Sequence, residues 1–270
     1  MIERLSIFAM LFLGCGLQAP AQELQTSDGL HLTLRGDGAI ASLTINGRSW
    51  PLLAGQPSGL LVQDAAAKGQ WIPAGGTVQA AGGRLVQRSM NLTVQLELEA
   101  VWRAAAGAIT VEGFIRDTSG RDRAVTVRLG LPIDAAGGTW WQDIQRAQPI
   151  TNSVYASLQG TAGIGATGTA SRYPWAALSC ASGELCLGVP MDHFVVHRIA
   201  YDGRQRSYYL EFDFGLSRLT KAFPARADFT LVLFTADPAW GFRSAAAKYY
   251  TLHPEALRRQ IGRASCRERV

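Results

Sequence analysis

The sequence predicts an all-β domain built of antiparallel sheets, and three observations carry that prediction. Short runs with period-two alternation recur along most of the chain, and polar, glycine-bearing turns separate them. No stretch before Pro238 keeps a helical period over about eleven residues. Many strands without intervening helices bury their apolar faces only by packing sheet on sheet, as a sandwich or a barrel.

Taken in order, 30–34 reads LHLTL, turns through Arg35-Gly36-Asp37-Gly38 and returns over 40–45 before the tight turn at Asn46-Gly47. Segments 84–88, 92–102, 108–116 and 123–131 continue the series. Within it, 92–99 (LTVQLELE) alternates strictly, which predicts one buried face and one wet face. Residues 134–172 lose the strand pattern and become rich in Gly, Ala, Thr and Ser, ending in GIGATGTAS at 163–171. A loop that long in a compact domain is either functional or disordered. Strands resume over 175–178, 185–190, 193–201, 208–214 and 229–234. One helix is expected over 240–252, capped at Asp237 with Pro238 in its first turn, and His253-Pro254 breaks it.

The two ends read differently from the middle. Residues 1–21 carry Arg4, an apolar run from Leu5 to about Leu17 and the small residues Ala19-Pro20-Ala21, the pattern of a secretory signal peptide cleaved before Gln22. Cys15 after Gly14 leaves a lipoprotein anchor as the alternative, and either way the protein is expected to be secreted or periplasmic. The apolar run falls short of the roughly 20 residues that cross a bilayer, so no membrane span is expected. Residues 261–270 (IGRASCRERV) resemble a short-read sequencing adapter translated in one frame, so a native continuation is expected beyond Gln260. Setting both ends aside lowers the net charge from +5 to +3 and leaves no Lys/Arg run, which argues against nucleic acid as a partner.

Of four cysteines, Cys180 and Cys186 belong to the mature domain. They flank a turn signal at 181–184, and if they face each other across a hairpin, an oxidising compartment permits a disulfide between them. Nothing nearby completes a metal site, and no cofactor motif is present. Exposed aromatics beside polar groups suit a sugar, whose apolar ring face stacks on an indole while its hydroxyls take hydrogen bonds. Trp140, Trp141, Asp143, Arg172, Tyr173 and Trp175, in and beside the long loop, are the candidates for carbohydrate binding. Adjacent tryptophans in a strand point to opposite faces, so one of Trp140 and Trp141 is expected in the core. Glu211 and Asp213 in LEFDF share a strand face at a spacing of roughly 7 Å, which a glycosidase carboxylate pair can match. Alternation with Leu210, Phe212 and Phe214 reads them more simply as the wet side. Asp192, His193 and His197 lack a third metal ligand and read as structural or surface groups.

Four stretches carry a family likeness: YPWAAL at 173–178, LCLGVPMD at 185–192, LEFDFGL at 210–216, and DPAWGFR at 237–243 followed by Lys248-Tyr249-Tyr250 and His253-Pro254. Over roughly residues 140–255 the chain resembles the N-terminal β-supersandwich of certain multidomain glycoside hydrolases, a domain similar in fold to galactose mutarotase. The resemblance implies an antiparallel β-supersandwich over 22–237, a helical linker over 238–260 and a C-terminal catalytic barrel outside this sequence. It implies that the catalytic carboxylates lie on that barrel, that no residue of this chain is catalytic, and that the partners are carbohydrate and the missing domain. Two other readings stay open. One is a free-standing carbohydrate-binding module. The other is a mutarotase-like epimerase using Glu211 or Asp213 with His193 or His197 as acid and base.

Overall fold

A computed structural model describes residues 22–257 except 68, 106, 161–166, 193–194 and 222–223. The signal segment with Cys15, the tail after 257 and His193 lie outside the described residues. Strands β1 (Gln22–Gln25), β2 (Leu30–Leu34), β3 (Ile40–Ile45) and β4 (Arg48–Ser49) form a small sheet in sequential order. Strands β5 (Gly59–Asp64) and β6 (Ile72–Pro73) open a second sheet, and β7 (Thr77–Ala81), β8 (Arg84–Asn91), β9 (Leu96–Ala105) and β10 (Ala108–Asp117) make a meander in a third. The chain then passes back and forth between these two large sheets through β11 (Arg123–Pro132), β12 (Thr139–Trp141), β13 (Ala147–Pro149) and β14 (Val154–Ala156). Strands β15 (Leu158–Gly160) and β16 (Thr169–Ser171) pair only with each other. Strands β17 (Trp175–Cys180), β18 (Gly183–Gly188), β19 (His197–Asp202), β20 (Ser207–Leu216) and β21 (Arg226–Ala236) complete the sheets before helix α1 (Phe242–Leu252).

The six-stranded sheet runs β14-β19-β20-β11-β5-β6 and the nine-stranded sheet runs β13-β12-β17-β18-β21-β10-β9-β8-β7. Their pairings are antiparallel. Period-two alternation decides what each face carries. Val125, Val127, Leu129 and Leu131 of β11 and Tyr208, Leu210 and Phe212 of β20 point between the sheets, against Val111, Leu185, Leu187, Leu231 and Leu233. The opposite face of the six-stranded sheet therefore receives Thr126, Arg128, Glu211 and Asp213. The outer face of the nine-stranded sheet presents Trp175, Ala177, Cys186 and Phe234, which α1 covers with Phe242, Ala245 and Tyr249. Lys248 Nζ donates to Asp28 Oδ2 at 2.7 Å, pinning the helix to the β1–β2 turn.

Three local expectations fail for visible reasons. Residues 92–95 form a turn, because Asn91 Oδ1 accepts the Val94 N–H and Gln95 takes φ 53; Leu92 is 81% exposed and β9 begins only at Leu96. Within 134–172 the chain is less loop-like than its composition, since five short strands (β12 to β16) pair there. The helix begins one turn later than the Asp237 signal implies. Asp237 instead builds the preceding turn, its carbonyl accepting Trp240 N–H and Gly241 N–H and its Oδ1 accepting Ala239 N–H. Gly241 (φ 48) occupies the cap position, and the Trp141 ring packs so closely that any Cβ there would clash.

Candidate functional site

The open face of the six-stranded sheet holds the densest polar chemistry among the described residues. Register places Glu211 of β20 opposite Arg128 of β11 on one side and opposite Arg198 of β19 on the other. Both Nε (2.8 Å) and Nη2 of Arg128 donate to Glu211 Oε1, while Nε (3.1 Å) and Nη2 (2.9 Å) of Arg198 donate to Oε2. Arg198 also donates through Nη1 and Nη2 to Asp213, whose Oδ1 accepts from Thr126 Oγ1 at 2.8 Å. The expected wet side of LEFDF is thus a shielded ion-pair floor, with Glu211 only 5% exposed. One strand's alternation cannot reveal this, because the shielding arginines come from its two neighbours. Burial alone would lower the Arg198 pKa; Asp213 and Glu211 reverse that and hold it above its ordinary range.

Above this floor lies a groove of about 340 Å³ whose walls include Gln63, Trp71 and Tyr209. The Arg128 guanidinium sits 3.8 Å from the Trp71 ring centroid and 4.0 Å from that of Tyr209, a double cation–π contact. Burial, and then the Glu211 charge, push the Tyr209 phenol up to about 12, so it stays a hydrogen-bond donor at neutral pH. Glu211 accepts four hydrogen bonds, the capacity of a carboxylate, and has no lone pair left to take a proton from a ligand.

His197 does not join this face. It pairs with the inward-facing Phe212, and its ring lies near the carbonyls of Val195 (2.9 Å) and Tyr173 (3.4 Å). Burial lowers its pKa, and β19 starts at His197 rather than at 193. A pairing of His197 with Glu211 or Asp213 as acid and base is therefore not assembled.

Of the six residues expected to bind carbohydrate, Trp141, Tyr173 and Trp175 come together in the cluster that α1 covers, and none of the six lines this groove. Trp140 is fully buried in the inter-sheet core, edge-on to Tyr208, as expected for one of the adjacent pair. Trp141 points the other way, its ring against Gly241 and its Nε1 donating to Ser179 Oγ at 2.9 Å. Asp143 organises its own turn, accepting the N–H groups of Gln145 and Arg146; the Arg146 side chain, first among its partners, holds its carboxyl below the usual range. Arg172 is exposed and bonds through its N–H to the Ser157 carbonyl. Tyr173 and Trp175 pack with Phe242, and Trp175 stacks on Tyr249 at 4.6 Å.

The Cys180–Cys186 disulfide is absent, and register explains why. The hairpin turns on two residues, so Cys180 faces Gly183 and Cys186 faces Ala177. Positions three residues apart on a strand lie on opposite faces, which sends Cys186 toward α1 and Cys180 toward the core. A second buried carboxyl escaped the sequence reading. Glu184 is fully buried beneath the start of α1; its Oε2 accepts from Ser179 Oγ at 2.6 Å and its Oε1 has no donor. Burial raises its pKa to about 7, with Ser179 offsetting only part. Among the described residues no cluster of three or more His, Cys, Asp and Glu is placed to hold a metal, and no helix is long and apolar enough to cross a membrane.

No family model and no curated protein matches the sequence. Solved structures do. An α-galactosidase of Geobacillus stearothermophilus superposes with TM-score 0.50 at 11% identity, over 86% of this chain and 42% of that one. An α-galactosidase from Lactobacillus brevis gives 0.49 at 11% identity, over 85% and 41%. A galactose mutarotase related enzyme from Lactobacillus acidophilus gives 0.47 at 8% identity, over 81% and 98%. The chain thus spans about 41% of the length of the first α-galactosidase that it resembles. The chain folds as a sandwich of antiparallel β-sheets, and at these identities the likeness bears on fold alone.

Proposed function

We propose that this chain is the sandwich domain of an exported glycosidase and that it binds carbohydrate, without acting on it, in the groove over the six-stranded sheet. The observation that carries this reading is the half-buried Trp71 standing over a floor of ion-paired Arg128, Glu211 and Arg198. An indole with polar donors beside it is the arrangement that holds a pyranose. Saturation of both Glu211 oxygens favours binding over proton transfer, and the placement of His197 on the other face of its sheet disfavours an epimerase. Export enters through the signal pattern at 1–21, and the partner catalytic domain through the α-galactosidases that share the fold.

Titration calorimetry of the full chain with galactose-containing oligosaccharides tests the site. Trp71→Ala is expected to remove binding while the chain stays folded, as circular dichroism would show. Binding that survives Trp71→Ala but disappears in Trp141→Ala would relocate the site to the α1 side of the molecule and sink this reading.

A further inference from the structure

The two arginines of the floor spend their donors differently. Arg198 places Nε, Nη1 and Nη2 on Glu211 and Asp213. Arg128 engages Glu211 through its Nε/Nη2 edge only, and its Nη1 has no hydrogen-bond partner among the described residues. That nitrogen is not sealed away, unlike the orphaned indole nitrogens of Trp50, Trp102, Trp140 and Trp175. Arg128 lines the groove, and its pairing with Glu211 leaves the outer N–H groups of Nη1 and Nη2, an end-on fork, without an acceptor among the described residues. The Trp71 and Tyr209 rings both lie within about 4 Å of the Arg128 guanidinium carbon, and Glu211 holds its side edge, so the fork is restrained before any ligand arrives.

We infer that this fork receives an anionic group of the bound sugar, a carboxylate or a phosphate, so that the site prefers acidic over neutral carbohydrate. A planar pair of parallel N–H donors matches two oxygens of one anion, whereas a neutral hydroxyl uses one donor and leaves the other unpaired. Arg128, Arg198, Glu211 and Asp213 sum to zero charge, so recognition acts through directed bonds at contact rather than through a long-range field. Binding is accordingly expected to depend only weakly on ionic strength. The inference rests on the groove being a carbohydrate site.

The experiment is calorimetric titration of the full chain with D-galactose, D-galacturonate and D-galactose 6-phosphate, with acetate and inorganic phosphate as bare anions. Galacturonate or the 6-phosphate is expected to bind at least about tenfold tighter than galactose, the order that charge-assisted bonds supply over neutral ones; whichever wins identifies the anion. Arg128→Lys, which keeps the charge but loses the fork, is expected to cut that preference to about threefold or less. Equal affinities for all three sugars would overturn the fork while leaving the carbohydrate site intact. No binding of any sugar would overturn both. Bare anions binding as tightly as the acidic sugars would leave an anion site and remove the carbohydrate. If Arg128→Lys fails to fold, the wild-type comparison still decides the preference. Tyr209→Leu, which removes the second ring held against the guanidinium, then serves as the second variant, with the preference again expected to fall.

Discussion

On the outer face of the six-stranded sheet Glu211 lies between Arg128 and Arg198, whereas on the outer face of the nine-stranded sheet Glu184 lies under α1 with a serine as its hydrogen-bond donor. Both carboxyls are shielded from water to a similar degree. The first face stays open as a groove, and the second is closed by Phe242, Ala245 and Tyr249. The comparison shows that burial does not set the fate of an acid by itself. Two arginines hold one carboxylate in place through four hydrogen bonds, and the lack, among the described residues, of a cation beside the other lets desolvation push it toward its neutral form.

The contrast breaks most visibly at Arg198. Arg198→Met leaves Glu211 and Asp213 short of a shared cation in a shielded place, and a loss of about 3–5 kcal/mol is expected in urea unfolding. A loss near that of an exposed ion pair, under about 1 kcal/mol, would show the floor to be well hydrated and the contrast with Glu184 to be false.

Next comes the pH dependence of Glu184. Its pKa stands higher in the folded state (about 7) than its ordinary 4.5, so the folded chain binds the proton more tightly than the unfolded one. This stability is full below pH 4.5, falls as pH rises toward 7 and is lost above it. At 1.4 kcal/mol per pH unit the difference amounts to about 3 kcal/mol. Denaturant midpoints between pH 5 and 8 should show that slope in the wild type, and Glu184→Gln should flatten it. An unchanged slope in the variant would place its origin elsewhere. The smallest effect concerns the two cysteines on the same hairpin as Glu184. A reductant should leave the unfolding midpoint unmoved, since the few kcal/mol that a disulfide supplies are absent, and alkylation after denaturation should label both Cys180 and Cys186.

The strands were legible where one chain segment contained all the information. LHLTL at 30–34 and the return at 40–45 have the bounds that their alternation implies, and 123–131 and 208–214 differ from β11 and β20 by one or two residues at the ends. Legibility failed where a side chain competed with the backbone, as when Asn91 folds 92–95 into a turn despite perfect alternation. It failed again wherever two distant segments must meet. The groove needs Trp71, Arg128 and Glu211 together, and nothing in one sequence brings position 71 to position 211. One signal was present: an arginine at the centre of RAVTVRLGL, a strand otherwise fit for a core, calls for a buried acid on a neighbouring strand. At 140–141 the pair divides as strand alternation implies, Trp140 in the core and Trp141 against Gly241 before α1, and neither lines the groove.

Strand β21 sits in the middle of the nine-stranded sheet, pairing β10 on one side and β18 on the other, although it follows both in the chain. During synthesis the β7–β10 and β12–β18 portions leave the ribosome first, each with an apolar inner face and one unpaired edge. Two edges of that kind are templates for wrong partners until the strand between them arrives. The β10–β21 contacts join residues more than one hundred positions apart, so closing the sheet is a slow, late event governed by loop entropy. The edges of β10 and β18 thus stay open until residues 226–236 pair with both.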